Sequence, residues 1–237
     1  MARRGFCSLI GILILSTISL LAAETAIEID SATFGGLRAR DIGPAVMSGR
    51  IAAIDASAAD PVTVWVGSAS GGVWKSDNAA TSFKPVFDDH TQSIGALRID
   101  PSDAETVWVG TGETWVRNSV SVGSGVYRTT DGGDSWEHLG LEGTERIAKI
   151  AVDPTDSDTV FVCATGHLWN ANPQRGVYKT TDGGTNWELV FSIDENTGCA
   201  DLDMDPQEPS ILYAAMWQFR RYPDFFTSGG PGSGLYQ

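Results

Sequence analysis

One eight-residue pattern occurs twice in this chain. Thr129–Trp136 reads Thr-Thr-Asp-Gly-Gly-Asp-Ser-Trp, and Thr180–Trp187 reads Thr-Thr-Asp-Gly-Gly-Thr-Asn-Trp. Each copy follows Gly-Val-Tyr and a basic residue, Gly125-Val126-Tyr127-Arg128 and Gly176-Val177-Tyr178-Lys179. A weaker copy opens with Gly72-Val73-Trp74-Lys75-Ser76, and another begins at Gly234-Leu235-Tyr236. The period is roughly fifty residues, with one tight turn per unit. That predicts radially repeated sheets: an all-β fold, a β-propeller of four-stranded antiparallel blades. The repeat completes about three and a half units by Gln237, so we expect the N-terminal part of a longer propeller, with the remaining blades in the same full-length chain.

Each unit divides into strands A to D. Strand A ends in an acidic residue and a turn, usually Asp-Pro: Asp100-Pro101, Asp153-Pro154 and Asp205-Pro206. Proline fixes φ and suits that turn position. Strand B is β-branched and aromatic, as in Thr63–Gly67, Thr106–Gly110, Thr159–Val162 and Ile211–Ala214. Strand C is the Gly-Val-Tyr segment, and strand D starts at Phe83, Trp136 or Trp187. The expected blades span about 50–90, 91–143, 144–195 and 196–237.

In the repeated turn, Asp131 and Asp182 are expected to accept hydrogen bonds from turn amides. Gly133 and Gly184 supply positive φ, and Trp136 and Trp187 pack between neighbouring sheets. The first copy places Asn78 at the aspartate position, Ala79-Ala80 at the glycines and Phe83 at the tryptophan. Asparagine can still bond the turn amides, but the alanines predict a different turn. These residues read as scaffold rather than as catalytic or metal-binding groups.

Residues 1–23 have the form of a signal peptide. Arg3 and Arg4 precede an apolar run from Phe6 to Leu21, and Ala22-Ala23 offers a cleavage site. We therefore expect a secreted or periplasmic protein with no membrane span after cleavage. The segment 24–49 is a possible ring-closing strand. The formal net charge is −14, and losing Arg3 and Arg4 makes the mature chain more negative still. Such a surface repels phosphate backbones, which argues against nucleic acid. Cys163 and Cys199 fall in strands of different repeats. Two buried unpaired thiols are the ordinary expectation, with a disulfide the alternative that an exported chain permits.

The Ser/Thr-x-Asp-x-Gly-x-Thr/Ser-Trp wording resembles the Asp-box, also called the bacterial neuraminidase repeat. Arg40-Asp41-Ile42-Gly43-Pro44, Ser48-Gly49-Arg50-Ile51, Gly71–Lys75, Val107–Glu113 and Ser228–Gly234 are similar to exported bacterial propellers grouped with the sortilin N-terminal domain. Those proteins are also called glycosyl-hydrolase-like, because xyloglucanases share the repeat. The resemblance implies a propeller that binds a protein, peptide or carbohydrate ligand. Polysaccharide hydrolysis of the xyloglucanase type is the alternative it leaves open.

Because strands alternate in direction, the B–C and D–A connections share the face opposite the repeated turns, and variable loops of one face usually carry function. The B–C loops bring Glu113, Trp115, Arg117 and Asn118, then His167 and Trp169, then Trp217, Arg220, Arg221 and Tyr222. Arg50 and Arg146 lie near the same face. Aromatic rings stack on sugars and forked donors bond hydroxyls, but the same tryptophans could simply pack the long loops. A glycosidase needs two carboxylates. Glu113 is the candidate, with Asp89, Asp201 or Asp224 as possible partners. The three histidines lack metal-ligand spacing, so neither metal nor cofactor is expected.

Overall fold

The computed structural model describes residues 50–57 and 59–237. The proposed signal peptide and the segment 24–49 lie outside the described residues. Among the described residues, sixteen strands form four antiparallel sheets, and the one helical element is a 3-10 turn at Glu142–Thr144. The first sheet contains β1 (Ile51–Ala56), β2 (Val64–Ser68), β3 (Gly72–Ser76) and β4 (Lys84–Pro85). The second contains β5 (Ile94–Asp100), β6 (Asp103–Thr111), β7 (Val126–Thr129) and β8 (Glu137–His138). The third contains β9 (Ile147–Asp153), β10 (Asp156–Ala164), β11 (Gly176–Thr180) and β12 (Glu188–Phe191). The fourth contains β13 (Thr197–Met204), β14 (Leu212–Arg221), β15 (Phe226–Ser228) and β16 (Gly234–Tyr236). The first three sheets are consecutive meanders. In the fourth, β14 pairs with β13, with β15 and with β16.

Successive sheets pack through their first strands, β1 on β5, β5 on β9 and β9 on β13. This is the expected β-propeller arrangement. Its cores lie between sheets. One gathers Trp65, Val73, Phe87, Ile94, Leu97 and Val107, and the next gathers Trp108, Val126, Ile147, Ile150 and Val160. The Asp-Pro turns close through the aspartate side chain. Asp100, Asp153 and Asp205 each accept a backbone N–H from two residues ahead, at 2.8 Å. That bond makes the turn locally self-sufficient.

The repeated turn has the predicted wiring. Asp131 accepts from the Thr129 hydroxyl at 2.6 Å and the Ser135 amide at 2.9 Å. Asp182 accepts from the Thr180 hydroxyl at 2.7 Å and the Asn186 amide at 2.9 Å. The Trp136 indole donates to the Val86 carbonyl and the Trp187 indole to the Leu139 carbonyl, both at 2.7 Å. Each therefore reaches into the preceding sheet, where it meets the strand-B tryptophan edge-on: Trp136 on Trp65 at 6.3 Å, Trp187 on Trp108 at 6.4 Å. A cation completes the contact in the other direction. Lys75 lies over the Trp65 ring and donates to the Gly132 carbonyl at 3.1 Å. Arg128 lies over Trp108 and donates to the Gly183 carbonyl at 2.8 Å.

The first copy of the turn corrects the sequence-based expectation. Asn78 accepts from the Ser76 hydroxyl and the Ser82 amide, both at 3.0 Å, which is the same wiring. Ala79 and Ala80 adopt φ 55° and 61°, beside 68° and 94° for Gly132 and Gly133. The turn is thus retained with two left-handed alanines. They can be accommodated because they are exposed, whereas Gly132 and Gly133 are buried. A Cβ at Gly133 would stand 2.9 Å from Trp65. Phe83, at the tryptophan position, is 40% exposed.

The cysteines are also corrected: Cys163 of β10 and Cys199 of β13 form a disulfide between the third and fourth sheets. Both side chains are fully buried. A third correction concerns Trp217–Arg221, read from sequence as loop. These residues extend β14, which forms a hairpin with β15.

Left-handed backbone costs an alanine about 1–2 kcal/mol, partly offset by glycine's larger unfolded-state entropy. Ala80→Gly should therefore stabilise the protein by about 0.5–1 kcal/mol, and Gly133→Ala should destabilise it by at least about 2 kcal/mol. Urea unfolding midpoints test both. Hydrogen bonds from Asn186 and then Thr180 hold the Asp182 carboxyl at about 2, below its ordinary 3.8. Bonds from Ser135 and then Thr129 hold Asp131 lower still. The folded value is depressed, so this stabilisation is complete above about pH 4 and is lost as pH falls toward 2. Asp182→Asn should make the decline of the urea midpoint between about pH 4 and pH 2 shallower than in the wild type.

Candidate functional site

The face opposite the repeated turns is built from the B–C and D–A connections. Its shape depends on a few enclosed polar side chains. Glu113 follows Gly112, whose φ of 91° turns the chain at the end of β6. The Glu113 amide donates to the Ser93 hydroxyl oxygen at 2.9 Å, and the Glu113 side chain is only 2% exposed. The carboxylate pairs with Arg50 and, at 3.6 Å, with Arg117. Arg146, 1% exposed, pairs with Glu145 at 2.7 Å. Burial pulls the Arg146 guanidinium below its usual value, with Glu145 opposing.

The 165–175 loop is organised by a residue that the sequence reading missed. Arg175 is 1% exposed and donates to the carbonyls of His167 at 2.5 Å, Asn170 at 3.3 Å and Asn196 at 3.3 Å. Its guanidinium lies 4.4 Å from the Phe219 ring centre. Burial first, then repulsion from Arg146, lowers its pKa to about 10. His167 contacts the Gly143 carbonyl at 3.0 Å, Asn172 at 3.2 Å and Asn170 at 3.2 Å. Its ring is thereby committed to loop structure.

Within this frame a cleft of about 310 Å³ opens between Thr114, Trp115, Val116, Thr165, Ala200 and Trp217. It spans the second, third and fourth sheets. Trp115 is 69% exposed. Trp217 stacks on Phe219 at 4.4 Å and meets Phe226 edge-on at 5.7 Å, so its ring is fixed in place. The floor is rigid. Thr165 donates to the Cys199 carbonyl at 2.9 Å, and the disulfide lies one residue from Ala200 and two from Thr165.

Beside the cleft, the Arg221 guanidinium donates to the Asn118 side chain, tying the 113–118 loop to β14. Arg220 donates to the Trp169 carbonyl at 3.3 Å and lies over the Tyr222 ring at 5.1 Å. Tyr222 stacks on Phe225 at 4.1 Å, and Trp169 remains 41% exposed. Of the residues singled out in the sequence, Trp115 and Trp217 line the cleft, and Asn118 meets Arg221 beside it. Glu113, Arg146 and His167 are engaged by neighbouring side chains and backbone.

A second cleft, of about 210 Å³, lies among Phe161, Val177, Leu212 and Tyr236. Its walls are almost wholly apolar, so it offers little to orient a polar ligand. Among the described residues, no three His, Cys, Asp or Glu side chains cluster in a way that could hold a metal. Asp89 and Asp224 are exposed, and Asp201 faces Lys149 at 3.8 Å. None of the three bonds to Glu113 among the described residues.

No family model matches the chain. Curated xyloglucanases are similar in sequence. A xyloglucanase of a Paenibacillus species is 24% identical over 62% of this chain and 15% of its own length. A probable oligoxyloglucan-reducing end-specific xyloglucanase of Neosartorya fischeri is 28% identical over 63% of this chain and 17% of its own. The chain thus spans less than a fifth of the length of these relatives. Among solved structures, an ancestral GH74 enzyme matches 72% of this chain and 23% of its own at 20% identity, with a TM-score of 0.57. That likeness shows a shared β-propeller fold.

Removing Glu113's charge leaves Arg50 and Arg117 facing a neutral, enclosed amide. Glu113→Gln should therefore lower stability by about 1–3 kcal/mol, less than for a fully buried pair because both arginines are partly exposed. Denaturant unfolding checks this. A residue acting only in chemistry would leave the midpoint unchanged.

Proposed function

We propose that this chain is an exported propeller module of the Asp-box type that binds a glycan at the loop face. Trp115 and Trp217 are the stacking platforms, and Asn118, Arg117 and Arg221 the polar rim. The observation that carries the reading is the cleft with exposed Trp115 at its mouth and Trp217 braced by Phe219 and Phe226. An exposed indole beside a fixed one suits the apolar face of a pyranose, and neighbouring amide and guanidinium donors suit its hydroxyls. The cleft lies on a disulfide-braced floor, so little ordering is needed on binding. The sequence likeness to two xyloglucanases supports a polysaccharide over a protein or peptide ligand.

Hydrolysis is the second reading, favoured by the printed activity of those relatives. It needs a general acid and a second carboxylate across the scissile bond. Glu113 is enclosed and engaged by two arginines, and Glu145 is engaged by Arg146. Both carboxylates are accounted for by the scaffold. The binding reading therefore fits these residues better.

Titration of tryptophan fluorescence with xyloglucan oligosaccharides tests the proposal. Trp115→Ala and Trp217→Ala should each weaken binding roughly ten-fold, a stacking contribution of about 1.4 kcal/mol. Unchanged affinity in both variants would remove the cleft from consideration. Release of reducing ends from xyloglucan by the wild type would favour the hydrolase instead.

A further inference from the structure

Arg220 and Arg221 end the strand that carries Trp217, in a protein with 30 acidic and 16 basic side chains. Among the described residues, neither has a carboxylate within 4.0 Å, although most other basic groups do. Asp224, at the tip of the same β14–β15 hairpin, pairs with neither. Arg220 has only the Trp169 carbonyl and the Tyr222 ring. Arg221 has only the Asn118 amide oxygen and the Phe226 ring at 5.8 Å. Arg221, on the same side of β14 as Trp217, therefore has no carboxylate in contact among the described residues.

The strand geometry aligns this charge with the stacking ring. Residues 217, 219 and 221 of β14 share one side of the strand, and four residues of rise separate the first from the last by about 13 Å. A polysaccharide lying along that side meets an indole at one end and a guanidinium at the other. Arginine's planar fork matches a carboxylate's two oxygens, which a lysine cannot do.

We propose that the cleft selects an acidic glycan, a polysaccharide bearing uronate carboxylates, with Arg221 reading the carboxylate beside the stacked sugar. This rests on the glycan-binding reading given above and narrows it to a charged substrate class.

The test compares oligogalacturonate with neutral xyloglucan oligosaccharides by calorimetry, at low and at physiological ionic strength. The expected result is roughly ten-fold tighter binding of the acidic glycan at low salt, with the preference shrinking as salt screens it. The variant Arg221→Gln should lose the preference, while Arg221→Lys should keep part of it. Trp115→Ala should weaken both glycans alike. Equal affinity for the two glycans in the wild type, or a preference that survives the glutamine variant, overturns the inference and leaves the glycan-binding reading standing. Failure of the wild type to bind either glycan overturns both. The salt dependence of the wild type decides the question even if the glutamine variant does not fold.

Discussion

The fold depends on a reciprocal contact between consecutive sheets. One sheet sends a tryptophan back onto its predecessor, donating to a strand-D carbonyl. The predecessor sends a lysine or arginine forward, across its own tryptophan, to a glycine carbonyl in the next turn. Both carbonyls lie at sheet margins, where an unpaired backbone acceptor is costly. The contact therefore combines apolar burial with polar satisfaction. It also explains the long motif. The basic residue, the Asp-Gly-Gly turn and the tryptophan belong to one interface rather than three local preferences.

Much of this was legible from spacing. The period, the strand identities, the aspartate-closed turns and the inward tryptophans all follow from residues whose chemistry is local. What failed was information that depends on neighbours. Ala79-Ala80 looked incompatible with a left-handed turn, but the strain at exposed alanines is modest, and only the buried copies require glycine. The Cys163–Cys199 pairing needed the packing of β10 on β13, which no spacing reveals. The β14–β15 hairpin was misread because alignment to the repeat overrode a local signal. Trp217, Phe219 and Arg221 alternate, Pro223-Asp224 supplies a turn, and Phe225-Phe226 resumes an apolar run. Arg175 carried no signal beyond standing before Gly176.

Charge divides the molecule by function. On the turn face, carboxylates serve as acceptors for nearby amides and hydroxyls, so their density is a by-product of turn chemistry. On the loop face, arginines do the corresponding work by binding carbonyls, as Arg175 does for three residues at once. Desolvation and mutual repulsion both press on Arg175, so order in that loop is maintained against an electrostatic cost.

The disulfide changes how sheet-to-sheet coupling is distributed. In a linear array with nearest-neighbour contacts, order lost at one unit spreads only as far as each junction yields. The first two junctions rely on indoles and cations, which can part reversibly. The third has a covalent tie that remains when its neighbours loosen. The third and fourth sheets, with the cleft floor between them, are thus held to each other by a covalent bond as well as by packing. The cleft is sited on the mechanical anchor of the molecule.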